Sequence, residues 1–481
     1  MDYEPYLGVA VLLSWLIVLV AVSVLSTRYR KLSVADFAIT GGTLGTLTLL
    51  FTYSATYHSA YAFMGTTGAI YVHGISWWNN VHWVVLPPIL MWFIGRKVWK
   101  LSKSHELMSY GDYLRFTYSG GGIYTEGLNL VASVTGFIYV LLYTAIQGLG
   151  VSYLFQMASK GLISSDVGLA IFVLLNAVIV FVGGARGVAW TDTVQGIFMI
   201  LAYVAASIYI PTVALGNIFQ VYSKAAQEIP QWLYLPGPAG LYTPQYWVSQ
   251  WLTITLGMVV MPHIWLRYYM AKSLRVLKWA SVFSAIYMTY IYTFTPALGL
   301  TAKLLYPKYP VPDRLVPEML LAYTPFAFAA VVMAGALAAA LSTSDSQLHS
   351  VTNILVVDIY KPYIRPNADE RHLYNVARIA TIILGGIVAM ISYTRPGIFL
   401  NILAMATAGT AALFPIFIVP LMWRRVTPVA GFLSASVSEI IVGITTFVIK
   451  DPLGIASGLW GLTTSISILI LATLITRSRG K

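Results

Sequence analysis

Apolar runs of about 20 residues recur along the whole chain, each long enough to cross a bilayer as a helix. Thirteen windows carry them: 5–27, 45–70, 75–95, 126–157, 163–182, 188–214, 246–266, 279–302, 319–357, 376–394, 398–422, 427–448 and 454–476. Backbone in lipid must satisfy its own hydrogen bonds, so runs of this length predict an all-α membrane bundle of about 13 transmembrane helices. Composition agrees, with 58% hydrophobic and only 10% charged residues, a balance foreign to soluble domains. The first run opens with Asp2 and Glu4 rather than a basic segment and shows no small-residue cleavage site. It reads as a retained helix, not a signal peptide.

The 29 Lys and Arg residues orient the bundle. With the amino terminus outside, 22 of them fall on the inner side, among them Arg30, Lys97, Arg186 and Arg424, and seven on the outer side, among them Lys160 and Lys303. That split follows the positive-inside rule and requires an odd number of spans, which puts the carboxyl terminus in the cytoplasm. The formal charge of +12 therefore reflects topology and contact with anionic lipid rather than nucleic acid. Cysteine is absent, which excludes disulfides and thiol chemistry. The longest stretches between spans, Gly216–Gln245, Val98–Thr125 and Lys361–Val376, are too short for a soluble catalytic or signalling domain. His58, His73, His82, His263 and His349 show no metal-ligand spacing, so the chain is not expected to be an enzyme.

One stretch breaks the apolar pattern. After Ala338, Ala339, Ala340 and Leu341 come Ser342, Thr343, Ser344, Asp345, Ser346 and Gln347, all within one spanning window. An acid at membrane depth costs roughly 3 kcal/mol even on lenient scales, so it normally faces a cavity or pathway. Small alanines let a neighbouring helix approach, and paired hydroxyls supply the oxygen ligands a hard cation prefers. Two other windows contain helix-weakening residues at mid-span: Ser54 to Ala60 with Gly65 and Gly68, and Gly257 to His263 with Pro262. Broken helices free backbone carbonyls for ions. They are the second and seventh spans. If the first is an accessory, they open two five-helix halves.

These motifs, taken in order, resemble the sodium:solute symporter family. Asp36-Phe37 with Gly41-Gly42-Thr43-Leu44-Gly45 is similar to its entry motif, although Thr43 stands where the family usually has Arg. Gly183-Gly184 through Trp190-Thr191-Asp192 to Gln195-Gly196 is similar to a second signature, and Pro262-His263 with Arg267 to a third. Ala339 to Asp345, ending at Asp358-Ile359-Tyr360, is similar to a fourth. The resemblance implies a LeuT-type core of five-plus-five inverted repeats with extra helices at both ends. It implies sodium as coupling ion, bound by backbone oxygens of Ala55, His58 and Ala339 and the hydroxyls of Ser342 and Thr343. It places Asp192 on an ion pathway, and Asp345 joins it as the acid of the polar stretch. Tyr57 stands where the proline carriers have an acid.

The expected organisation is an accessory helix and inner loop over 1–42, a first repeat over 43–214 and an outer loop over 215–244. A second repeat follows over 245–422, then two peripheral helices over 423–481. Candidate residues for solute binding or gating are Thr56, Ser59, Tyr143, Gln147, Gln250, Gly257 and Pro262, with Asn79, Asn80, Tyr139 and Thr253 as further polar residues at membrane depth. The apolar Gly257 to Met261 segment argues against a sugar, and the segment Tyr57 to Gly65 looks more like the monocarboxylate carriers. The expectation is sodium-coupled symport of a monocarboxylate or amino acid across the plasma membrane by alternating access, without an obligate protein partner. Two alternatives stay open: a proton-coupled carrier of the same fold using His58 or Asp345, and a non-transporting membrane sensor.

Overall fold

A computed structural model describes residues 3–78, 82–394 and 399–478. Asn79 and Asn80 lie outside the described residues. The spanning windows become α1 (Glu4–Ser26), α2 (Thr46–Ala55), α3 (Thr66–His73), α4 (His82–Phe93), α5 (Ile123–Ala158), α6 (Ser165–Leu215), α7 (Pro244–Val259), α8 (Pro262–Met270), α9 (Leu274–Thr293), α10 (Thr295–Leu305), α11 (Phe326–Asn353), α12 (Glu370–Tyr393), α13 (Phe399–Met422), α14 (Pro428–Gly443) and α15 (Ser457–Ser478). Among the described residues there is no strand, only one isolated bridge between Leu44 and Ala271.

Eight helices of the described residues are individually long and apolar enough to cross a membrane. The difference from thirteen windows has a local cause at each place. The 51-residue α6 would be about 76 Å long if straight, more than two hydrocarbon thicknesses. At Gly184 its backbone turns to φ 53° and ψ −150°, dividing it into the two windows 163–182 and 188–214. A side chain at Gly184 would also meet the Phe37 ring at 2.9 Å. Four other windows are split into short pieces, as α2 with α3, Ile75–Trp78 with α4, α7 with α8, and α9 with α10.

The two breaks anticipated from sequence are present. Between α2 and α3 the helix opens over Thr56 to Ser59 and resumes through a wide turn at Tyr61–Gly65. Thr and Ser side chains compete for the backbone there, and Thr66 and Thr67 continue the polar run. Between α7 and α8, Met261 is extended at φ −60° and ψ 135° ahead of Pro262, which lacks the N–H needed to continue the ladder. Every residue from Val332 to Ile354 of α11 and its extension is buried, so α11 is the central post. It packs on α6 and α5, α1 packs on α6, and α14 and α15 pack together beside α13.

Contacts between segments sort the bundle into two ends. At one, Arg186 pairs with Asp36 at 2.6 Å, Arg30 donates to Val182 O at 3.1 Å and Trp99 donates to Ala271 O at 2.8 Å. At the other, Lys160 pairs with Glu4, Trp232 donates to Tyr71 O at 2.8 Å, and Lys303 lies 4.6 Å from the Trp232 ring. Each pair joins residues that the basic-residue distribution assigns to one side.

Candidate functional site

Helix α2 ends at Ala55, whose carbonyl takes a turn bond from His58 N at 3.1 Å, keeps a second lone pair and carries the negative end of the helix dipole at the gap that follows. The central helix α11 fills this gap. Ser342 Oγ donates towards Ala55 O at 3.1 Å and Ala339 O at 3.0 Å. Thr343 Oγ1 stands 3.4 Å from Ala55 O, 3.3 Å from Thr56 O and 3.2 Å from Ala339 O. Two hydroxyl protons thus serve five oxygen–oxygen contacts, which leaves lone pairs in excess. Oxygens holding a hard cation at about 2.4 Å stand about 3.4 Å apart along the edges of its shell, close to these spacings. Two of the contacts, those to Ala339 O, bond α11 to its own preceding turn, and the other three join it to the end of α2.

Of the five expected ligands, these contacts join Ala55, Ala339, Ser342 and Thr343. Thr56, assigned from sequence to the solute cavity, adds its backbone oxygen to the same cluster. His58, expected to offer its backbone oxygen, lies at the break; its ring Nδ1 donates to Ser54 O at 2.8 Å, and the ring sits 5.4 Å from those of Tyr287 and Tyr292. A small cavity beside the break is lined by His58, Phe63, Met199, Tyr203, Ile291 and Ala339. On the scaffold side, Gln147 accepts from Ala60 N at 2.8 Å and Tyr143 donates to Ser59 Oγ at 3.4 Å. Ser59, Tyr143 and Gln147 therefore meet at the point where the broken helix resumes.

The remaining candidates sit elsewhere. Gln250 and Thr253 line a separate cavity between α7, α13 and α15, with Met405, Asp451 and Ser457. Gly257 packs α7 on α13, where an added Cβ would meet Thr407 O at 2.4 Å. Pro262 starts α8 against Gly136 of α5. Tyr139 packs over Gly409 and faces Glu439, a helix–helix contact.

A second polar centre flanks the first. Thr52 donates to Asp192 Oδ2 at 2.6 Å, and Ser346 donates to the same oxygen at 3.3 Å. Arg267, from α8, lies 3.6 Å from Asp192, donates to Thr52 and Ser346, and is fixed by His263 O at 2.8 Å. Both charged side chains are essentially fully buried. On the other face of α11, Asn176 donates to Ser344 Oγ at 2.5 Å and to Asp345 Oδ1 at 2.8 Å. Arg267 stood out in the sequence only within a motif and Ser346 only within the polar stretch, while Thr52 and Asn176 did not stand out. Asn176 had a signal, being a lone amide inside an apolar run. Thr52 had none, since a single Thr in a spanning helix commonly bonds its own backbone. The side chains of Gln195 and Gln347 are buried without hydrogen-bond partners, which marks a polar seam along α6 and α11.

Comparison with known proteins places this geometry. The Sodium:solute symporter family pattern matches residues 37–438. A sodium/pantothenate symporter from Haemophilus influenzae is 26% identical over 417 residues, covering 85% of this chain and 82% of that protein. A sodium/proline symporter from the same organism is 24% identical, covering 89% and 85%. A solved, substrate-bound, outward-open Na⁺-coupled sialic acid symporter superposes with a TM-score of 0.82 at 19% identity, covering 98% of both chains. The match spans α2, α6, α8 and α11, which build both polar centres, and the chain belongs to the sodium:solute symporter family, multi-pass membrane carriers that couple solute movement to sodium and are not enzymes.

Proposed function

We propose that the chain carries a small organic acid, a monocarboxylate or an amino acid, together with sodium by alternating access. The observation that carries the reading is the oxygen cluster of Ala55, Thr56, Ala339, Ser342 and Thr343 at the break between α2 and α3. A sodium ion there ties the broken helix to the central post, so its arrival and departure change how the two are held together. The solute would sit on the other side of the break, against Ser59, Tyr143 and Gln147 and the cavity beside His58. Half-helix N-termini favour anionic groups, and the chain resumes helix at Ala60 and again at Pro262.

The two breaks open segments 43–214 and 245–422, which we read as inverted repeats. Residues 1–42 and 423–481 add peripheral helices. The amino terminus is placed outside and the carboxyl terminus in the cytoplasm of a plasma-membrane protein, on the strength of the basic-residue asymmetry. For a zwitterionic amino acid moving with one sodium, or a monocarboxylate anion moving with two, one net charge crosses and about 100 mV supplies roughly 2.3 kcal/mol. At about 1.4 kcal/mol per decade, that supports roughly fiftyfold accumulation.

One observation favours a second reading. Asp345 Oδ2 is buried without a hydrogen-bond partner, an atom that a proton would satisfy. Uptake of labelled acetate, lactate, pyruvate, proline and glucose into proteoliposomes, with a sodium or a proton gradient imposed separately, tests both. Sodium-driven accumulation of an acid or amino acid is expected. Glucose accumulation overturns the solute class, and accumulation on a proton gradient alone overturns sodium as the driver.

A further inference from the structure

Far from the break, a groove of about 590 Å³ opens at the bundle end that holds Arg186 and Lys272, between the helix Gly95–His105 and the end of α13. Its rim is basic, from Lys97, Lys100, His105 and Arg424, and its floor is apolar, from Leu101, Phe116 and Leu421. No acidic residue is among those lining it. The rim is partly held in place: Lys97 Nζ donates to Leu421 O at 3.3 Å, and the His105 ring lies 4.1 Å from that of Phe116. The neighbouring membrane-facing side chains are exposed and apolar, Phe93 at 54% and Met422 at 79%.

We propose that this groove binds an anionic phospholipid, whose phosphate contacts Lys97, Lys100 and Arg424 while an acyl chain lies on the floor and leaves past Phe93 and Met422. Two features of the groove favour a lipid. The cations cluster at the boundary of spanning helices, where anionic headgroups lie, and basic pockets between such helices bind them. The apolar floor would gain nothing from free phosphate, but it matches the first carbons of a buried chain. A point charge from each Lys and a bidentate fork from Arg424 suit a phosphodiester oxygen pair. The groove shares no lining residue with either polar centre, so the inference stands apart from the solute assignment.

The test uses the full chain purified in neutral detergent. Retention of phosphatidylglycerol, phosphatidylcholine and inorganic phosphate is read by native mass spectrometry. The variant is Lys97→Gln/Lys100→Gln/Arg424→Gln, and the control Arg275→Gln/Lys278→Gln removes two exposed basic residues of the same end that do not line the groove. Phosphatidylglycerol should remain on the native protein and on the control. Its affinity for the triple variant should fall about a hundredfold, near fivefold for each basic residue lost. Leu101→Trp keeps every charge and fills the floor, so it should also weaken retention, and it serves should the triple variant fail to fold. Unchanged retention in both variants overturns the site. Equal binding of phosphatidylcholine, or displacement by inorganic phosphate at equal concentration, overturns the anionic lipid as its occupant.

Discussion

Arg267 and Asp192 form a buried pair whose members come from different helices, with Thr52 and Ser346 bonded into it. Breaking a buried pair by removing one partner costs about 3 to 5 kcal/mol, because the other charge is left uncompensated. Arg267→Met should therefore lower thermal stability sharply. Arg267→Met/Asp192→Asn should recover much of the loss, because the stranded carboxylate is gone. Thermal unfolding of the single and double variants in detergent decides it: equal losses would show that the pair is not what holds α8 to α6 and α11. Asp192 is thus already neutralised by a residue of the chain. The hydroxyl-and-carbonyl cluster carries no formal charge, and the sodium site proposed there has no such internal counter-ion to displace. The polar stretch on α11 was legible in the sequence, since four hydroxyls beside a small-residue run are conspicuous in an apolar helix. It did not expose how the neighbouring polar centre assembles, because Thr52 lies 140 residues from Asp192, Asn176 168 from Ser344 and Arg267 79 from Ser346.

At the scale of elements, α7 rests on α13 through Gly257, where any Cβ would press on Thr407 O at 2.4 Å. Gly257→Val should separate the two helices and abolish transport in protein that still inserts. Gly386→Ala, with open space around it, should leave transport intact and stabilise α12 by up to about 1 kcal/mol through helix propensity. Equal uptake by both variants would refute the packing role of Gly257. The connection after α10 makes a different claim. Its turn Pro312–Arg314 seats Asp313 against Gly68, while Arg314 donates to Gln156 Oε1 at 3.3 Å and lies 4.4 Å from the Tyr153 ring. Burial pushes the Asp313 carboxyl up to about 6. Its charged form is therefore disfavoured when the turn is seated, a cost of roughly 3 kcal/mol at most above that pH. The cost fades as pH falls through 6 towards the ordinary carboxylate value of about 4. The native protein should gain stability on acidification from pH 8 to 5, and Asp313→Asn should be more stable at pH 8 and lose this part of the gain. Parallel pH profiles for the two would contradict the burial of that charge.

The whole molecule follows from run length more closely than from helix continuity. Thirteen apolar windows were readable because each must match one bilayer thickness, whatever happens inside it. The breaks at Thr56 to Ser59 and before Pro262 were readable from small, polar and Pro residues at mid-span; that windows 163–182 and 188–214 run on as one element across the kink at Gly184, and that Ile75–Trp78 parts from α4 and α9 from α10, was not. Orientation gives a direct expectation. Ser223→Cys and Asn367→Cys, in a chain with no native thiol, should be labelled by an impermeant maleimide from opposite faces of the membrane. Labelling from one face would invert half of the topology. Everything else rests on the oxygen cluster where the broken helix meets the central post. Saturable binding of radioactive sodium to the purified protein, compared with Ser342→Ala/Thr343→Ala, tests it most directly. At about 1.5 kcal/mol or more per lost contact to a charged group, each hydroxyl is worth roughly tenfold, so the double variant should bind sodium about a hundredfold more weakly while unfolding at a similar temperature. Sodium affinity unchanged in a folded double variant would contradict the site and the coupling built on it.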